Sequence, residues 1–260
     1  VEAPCKESRR EHWETFWDEK QNVGDVYSNA DRILRGLERL TNLRGKRVLE
    51  IGAGTGRDSF PLVDRGAIVY QLDYAENSLK ILRRIAQQAG YDVIIIGGDT
   101  FRLPFRDASF DIVFHQGLLE HFRPQQAEAL LRENIRVLKS GGLLLVDVPQ
   151  RYHIYTLVKH LLIAVNRWFA GWERSFSVGE LRAVLHSIGL SPVSAYGDWM
   201  MPSFFYRVMR EVLKKGGITL PLHLQLKPFT RLRLSIRNFL LSTPLPLYTG
   251  ISIGVVGRKP

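Results

Sequence analysis

From Arg47 onward, short unbroken apolar runs alternate with longer stretches in which apolar residues recur every three or four positions. The runs are RVLEIG (47–52), AIVYQLD (67–73), DVIIIGGD (92–99), FDIVFHQG (110–117) and GLLLVDVP (142–149). Between them lie the helical stretches NSLKILRRIAQQA (77–89) and QQAEALLRENIRVLK (125–139). A run without polar alternation must be covered on both faces, as strands of a parallel sheet are. Right-handed crossovers then wind helices onto both sides of that sheet. Another helix at 178–189 and two more strands, at 191–199 and 248–259, extend the pattern. The predicted fold is therefore α/β: a doubly wound seven-stranded sheet, mostly parallel.

Ahead of the first strand, DRILRGLERL (31–40) places Ile33, Leu34, Leu37 and Leu40 on one face of a helix, and Gly45 ends that segment. Two segments fall outside the alternation: 150–177, rich in aromatics, and 200–247, rich in Pro, Arg and Leu. They read as helical insertions after strands 5 and 6, on the substrate side, because ligands of open α/β sheets bind beyond the carboxyl ends of the strands. One domain results, with a helical cap over 1–45, a cofactor-binding core over 46–149 and the two insertions. In the first insertion Ile154, Leu157, Leu161 and Trp168 share a helical face, with Phe169 and Trp172 beyond it. Such a stripe packs on a core, walls an apolar substrate chamber or, paired with the basic, Leu-rich RLRLSIRNFLL (231–241), meets a membrane surface.

Charge changes the picture at one end only. Of the formal net charge of +10, residues 201–260 contribute ten Lys/Arg against a single acid, Glu211. A basic segment such as RLRLSIRNFLL (231–241) is either a solvated face or a surface for phosphates, on nucleic acid or on an anionic membrane. The only cysteine, Cys5, allows no intrachain disulfide and no thiolate metal cluster, which suits a reducing compartment. The charged first residues do not resemble a secretory leader, and the most apolar stretch (154–165) is short and interrupted by Lys159 and His160. A cytoplasmic protein without a transmembrane span is expected.

The chemistry concentrates where the first strand ends, at Glu50-Ile51-Gly52-Ala53-Gly54-Thr55-Gly56-Arg57-Asp58. Glycines at 52, 54 and 56 let the backbone turn sharply and approach a ligand. A dinucleotide site would want a third fingerprint glycine at 57, where Arg57 stands. Asp73, 21 residues after Gly52, suits a ribose, but that position is common to both cofactor classes. Glu50 inside the first strand and Asp99 after the third add two further acids. Three acids at three strand ends suit a ligand carrying an ammonium, a ribose and an adenine, without a pyrophosphate.

In its ordered motifs VLEIGAGTG, QLDYAENSL, GDTFRLPF, SFDIVFHQGLLEHF and RVLKSGGLLLVDVP, over roughly 47–149, the chain resembles the class I S-adenosylmethionine-dependent methyltransferases. The likeness is to the type 11 subgroup that includes quinone-biosynthesis and other small-molecule enzymes. It implies a Rossmann-like methyltransferase fold with S-adenosyl-L-methionine as cofactor and S-adenosyl-L-homocysteine as product. It further implies that Glu50, Gly52, Ala53, Gly54 and Gly56 lie along the methionine portion. Asp73 would take the ribose with Tyr74 against the adenine, Asp99 and Thr100 would read the adenine edge, and Gln116 and Gly117 would floor the methionine end.

On the substrate side, His121 is the leading catalytic candidate and His115 the next, as bases for an acceptor that must lose a proton. Asp147, Gln150, Tyr152 and His153 follow the fifth strand as second-rank candidates; for Asp147 burial with backbone donors is the favoured reading. The Asn/Asp-Pro-Pro-aromatic tetrad of amino-methylating nucleic-acid enzymes is replaced here by His115-Gln116-Gly117-Leu118, and Cys5 is poorly placed for base C5 chemistry. The expectation is methylation of oxygen or nitrogen on a metabolite, sugar or lipid-linked intermediate. No metal and no nucleic-acid partner are expected, and the basic C-terminal region offers a peripheral membrane contact. The alternatives are an RNA or protein methyltransferase using that region, and a non-catalytic cofactor-binding scaffold.

Overall fold

The computed structural model describes residues 9–19, 31–168, 170–199, 203–221 and 227–260; Cys5 and Phe169 lie outside them. Seven strands form one sheet: β1 (Arg47–Ile51), β2 (Ile68–Asp73), β3 (Val93–Gly97), β4 (Phe110–Gln116), β5 (Leu138–Pro149), β6 (Ser191–Asp198) and β7 (Ser252–Arg258). Their order is β3-β2-β1-β4-β5-β7-β6, with β7 antiparallel to both neighbours and the pairs from β3 to β5 parallel. The central runs lack polar alternation because both faces are buried. Leu49, Val113, Leu144 and Val146 pack in one core cluster, while their neighbours Val48, Ile112, Leu143 and Leu145 pack in the other.

The helices of the core are α2 (Asp31–Glu38), α3 (Phe60–Val63), α4 (Glu76–Ala89), α5 (Pro124–Val137) and α7 (Val178–Ser187). The helix expected through 139 ends earlier: Leu138 already has extended backbone (φ −81°, ψ 134°) and opens β5 opposite Phe110. On α2 the apolar face carries a buried Arg32, which binds Asp147 of β5 through two hydrogen bonds (2.9 and 3.2 Å), and Tyr196 of β6 donates to the same carboxylate (2.8 Å).

A further helix, α1 (Arg10–Glu19), docks on α4. The N-cap of α4 is Ala75, whose side chain cannot satisfy the free N–H groups of the first turn. Glu14 of α1 supplies the missing acceptor, taking hydrogen bonds from the amides of Glu76 (2.8 Å) and Asn77 (3.0 Å).

The insertions fold as α6 (Ile154–Ala164), α8 (Phe204–Lys215), α9 (Lys227–Leu241) and α10 (Pro246–Thr249). They follow the carboxyl ends of β5 and β6, as expected. The apolar stripe of α6, however, faces away from the protein: Ile154, Leu157 and Leu161 are 54%, 63% and 61% exposed, while Thr156 and Lys159 are buried. These three line no part of the cavity described below, whereas Trp172, beyond the helix, does.

Candidate functional site

The first strand ends in a tight bend because Gly52, Gly54 and Gly56 all adopt left-handed backbone (φ +67°, +55° and +68°). Asp73, at the end of β2, fastens this bend: one carboxylate oxygen accepts from the Gly54 amide (2.9 Å) and the other from Ala75 (3.0 Å). Ser78 of α4 donates to the Gly54 carbonyl (2.9 Å).

Beyond the bend lies a cavity of about 720 Å³. Glu50, Gly52, Ala53 and Gly54 line it from β1 and the bend, Asp73 and Tyr74 from the end of β2, Asp99 and Thr100 from the end of β3, and Gln116, Gly117 and His121 from beyond β4. Asp99 shapes its own turn by accepting from the Phe101 amide (2.9 Å), and the buried Thr100 hydroxyl has no hydrogen-bond partner.

Two expected residues are not at the cavity wall. A side chain at Gly56 would meet Gln71, Leu82 and Phe60 at 2.4 to 2.8 Å, so this glycine serves close packing beneath the bend and not ligand approach. His115 is fully buried within β4, neither ring nitrogen has a hydrogen-bond partner, and burial lowers its pKa to about 3. An imidazole sealed in the sheet cannot reach a substrate, which removes His115 from the catalytic set.

The second-rank candidates are also occupied elsewhere. Asp147 is satisfied by the side chains of Arg32 and Tyr196, not by the backbone donors expected. Gln150 donates to Leu247 and accepts from the Tyr152 amide, His153 caps α6 by accepting from the Tyr155 amide (3.1 Å), and Tyr152 is exposed.

Electrostatically the cavity wants a cation. Burial, then the neighbouring Asp58, pushes the Glu50 carboxyl well above its ordinary range, although Ser59 donates a hydrogen bond to it. Burial likewise raises Asp58 to about 6 against the pull of Arg32, and raises Asp73 against its backbone hydrogen bonds. One oxygen of Asp58 has no partner, and Asp58 caps no helix. Three buried acids with raised pKa values, two of them at the bend, are compensated when a positively charged group enters.

At the other end of the cavity, a 3₁₀ turn (Leu119–His121) carries Glu120 and His121. Burial holds the His121 imidazole below its ordinary pKa against the attraction of Glu173, whose carboxylate lies 3.8 Å from Nδ1. Burial thus opposes a charge on the ring while the Glu173 carboxylate favours it. Burial opposes ionisation of Glu173, but His121, Lys159 (2.8 Å) and the Trp168 indole (2.6 Å) outweigh it and keep this acid below its usual range. Glu120 is raised to about 8 by burial and by the Glu173 charge.

Sequence reasoning missed this buried cluster and also the roof of the cavity. Arg10, Trp13 and Trp17 of α1 line the cavity, Trp13 sits edge-on to His121 (4.9 Å between centroids), and Trp17 lies where a side chain on Gly54 would be (2.6 Å). Their spacing on one helical face was the available signal. Among the described residues no three His, Cys, Asp or Glu side chains are grouped to hold a metal ion, and no helix is long and apolar enough to cross a membrane.

A glycine bend, a β2-end acid and a β3-end acid around one cavity of an α/β sheet with a late antiparallel strand define a nucleoside-binding class of fold. Comparison with known proteins makes this specific. Residues 49–146 match a family model described as a methyltransferase domain. A demethylmenaquinone methyltransferase of Thermus thermophilus is 31% identical over 175 residues, covering 66% of this chain and 79% of that protein. Another, from Renibacterium salmoninarum, is 42% identical over 103 residues, 39% of this chain and 40% of the relative. The chain spans between 40% and 63% of the length of the first curated relatives it matches. In architecture it resembles the crystal structure of 1,6-didemethyltoxoflavin-N1-methyltransferase from Burkholderia thailandensis (TM-score 0.62, 17% identity, covering 100% of this chain and 93% of that one). The chain belongs to the S-adenosylmethionine-dependent methyltransferase family.

Proposed function

We propose that this protein transfers a methyl group from S-adenosylmethionine to an oxygen or nitrogen of a small molecule, with a metabolite, sugar or lipid-linked intermediate as acceptor. The observation that carries the reading is the cavity itself, which has buried acids with raised pKa values at one end and the His121 imidazole, its pKa held down by burial, at the other. The residues present fit the cofactor. Glu50 and Asp58 would balance its positive charge, Asp73 would meet the ribose hydroxyls, Tyr74 would pack on the adenine, and Asp99 with Thr100 would meet its polar edge. Gly52, Ala53, Gly54, Gln116 and Gly117 bring backbone close to the methionine portion.

The bound cofactor supplies the methyl group and leaves as a neutral thioether. What the protein must add is alignment and a place for one proton. His121 would be the catalytic base, its imidazole taking the proton that the acceptor O–H or N–H loses. Glu173 is a positioning residue whose carboxylate, 3.8 Å from Nδ1, balances the charge the ring acquires, and Lys159 anchors that carboxylate (2.8 Å).

Calorimetry with S-adenosylhomocysteine tests the cofactor half. Binding abolished by Asp73→Ala is expected, and unchanged heats refute it. Single-turnover methyl transfer across metabolite pools tests the rest: His121→Asn that binds the cofactor normally but loses most of its rate supports the base. A rate indifferent to this change removes His121 from that role.

A further inference from the structure

α6 is built inside out. Positions 154, 157, 158, 161 and 165 repeat at the helical spacing and hold Ile, Leu, Val, Leu and Val, all pointing to the exterior, three of them more than 60% exposed. The opposite face buries Thr156 and Lys159, the latter 1% exposed and paired with Glu173 at 2.8 Å. A helix packed for water alone would reverse this arrangement. Nor is α6 isolated. On α8, Val208, Met209 and Val212 form a second exposed apolar stripe, and on α9, Leu232, Ile236 and Phe239 form a third (60%, 51% and 69% exposed). Three helices that follow the carboxyl ends of β5 and β6 thus each leave an apolar stripe exposed, where ordinary soluble surfaces carry such residues singly.

The charge around these stripes selects the occupant. The segment that carries α8 and α9, residues 203–241, holds eight Lys/Arg and one acid, and Lys214 and Lys215 at the end of α8 are exposed. The arrangement is apolar side chains flanked by basic ones, on helices too short and too charged to cross a bilayer. Pairing with a second copy about a two-fold axis would set this one-signed face against itself, whereas a leaflet containing anionic lipid complements it.

We propose that α6, α8 and α9 form a docking face that seats the protein on an anionic membrane surface, with the apolar stripes entering the headgroup region and the basic residues meeting lipid phosphates. Tyr155 of α6 feels the charge of Arg207 on α8. The face does not include the cavity wall, and its occupation is measurable without turnover.

The test is sedimentation of the full chain with phosphatidylcholine vesicles, with and without phosphatidylglycerol. Binding to the anionic vesicles is expected, weakened several-fold by raising salt above physiological strength because surface charges are then screened. The double substitution Leu157→Glu, Leu161→Glu is expected to weaken it by about tenfold or more, given the apolar area removed from the lipid. Lys214→Glu with Lys215→Glu should abolish the preference for anionic vesicles. All four positions are exposed, so thermal midpoints and S-adenosylhomocysteine binding should stay at wild-type values, separating this proposal from the catalytic one. Absence of vesicle binding at low salt overturns it. So does equal binding to neutral and anionic vesicles, or a homodimer that Leu157→Glu, Leu161→Glu dissociates in a protein that ignores vesicles. Salt-sensitive RNA binding without vesicle binding overturns it equally.

Discussion

Gly56 and Gly90 share nearly the same backbone conformation (φ +68° and +70°) but have different surroundings, and this pair separates strain from packing. At Gly90, the C-cap of α4, an added Cβ meets nothing within 4 Å. Gly90→Ala should therefore cost only the left-handed conformation, about 1–2 kcal/mol. At Gly56 the same Cβ falls 2.4 Å from Gln71 Nε2 and 2.8 Å from both Leu82 Cδ2 and Phe60 Cε2. None of these can step aside freely: Gln71 and Leu82 are fully buried, and Gln71 donates to Ser59, which in turn holds Glu50. Overpacking adds about 1–3 kcal/mol, so Gly56→Ala should cost about 2–5 kcal/mol in all. At roughly 2–4 °C per kcal/mol for a domain of this size, the melting midpoint should fall by about 4–20 °C. Denaturant unfolding followed by circular dichroism, run on both variants, reads the difference directly. Equal losses at the two positions would refute the assignment of Gly56 to packing and return it to the cavity wall.

Three further outcomes are expected. Glu14→Ala removes the only cap seen on the first turn of α4; amide exchange at Glu76 and Asn77 should accelerate, with a loss of about 1 kcal/mol in stability. Glu120 has a folded-state pKa of about 8 against an ordinary 4.5, so the folded protein keeps this proton where the unfolded chain has lost it. Its contribution falls as pH rises from about 4.5 to about 8, by at most about 1.4 kcal/mol per pH unit, and levels off above that. Glu120→Gln should flatten this part of the stability profile in urea titrations, and an unaltered slope would show that Glu120 is ionised. Arg32→Met leaves the Asp147 carboxylate buried with only Tyr196 as donor and should cost about 3–5 kcal/mol in the same assay, far more than an exposed pair such as Arg132 with Glu128.

The strands and most helices of the core were legible because each owes its pattern to burial on both faces or on one, and that requirement is local. Much of the cavity wall was legible for a related reason: Glu50, Asp73 and Asp99 stand at strand ends, and strand ends meet at one edge. What was not legible depended on partners far away in sequence. Glu14 finds its role 62 residues on, at the start of α4, and nothing near it announces a cap. Charged residues usually lie at the surface, so Lys159, Glu173 and Glu120 gave no hint of a buried cluster beneath His121. Gly56 looked like its two neighbours until the packing beneath it was seen. In α6 the periodicity located the stripe correctly but not its side, because a stripe is ordinarily turned inward.

The roof contributed by α1 gives the molecule a built-in optical reporter. Of its five tryptophans, Trp13, Trp17 and Trp172 border the cavity, one against the His121 ring and one resting on the glycine bend. Emission excited at indole wavelengths is thereby weighted toward the place where a nucleoside enters. Filling of the chamber, and protonation of the imidazole beside Trp13, can be followed without attaching a dye.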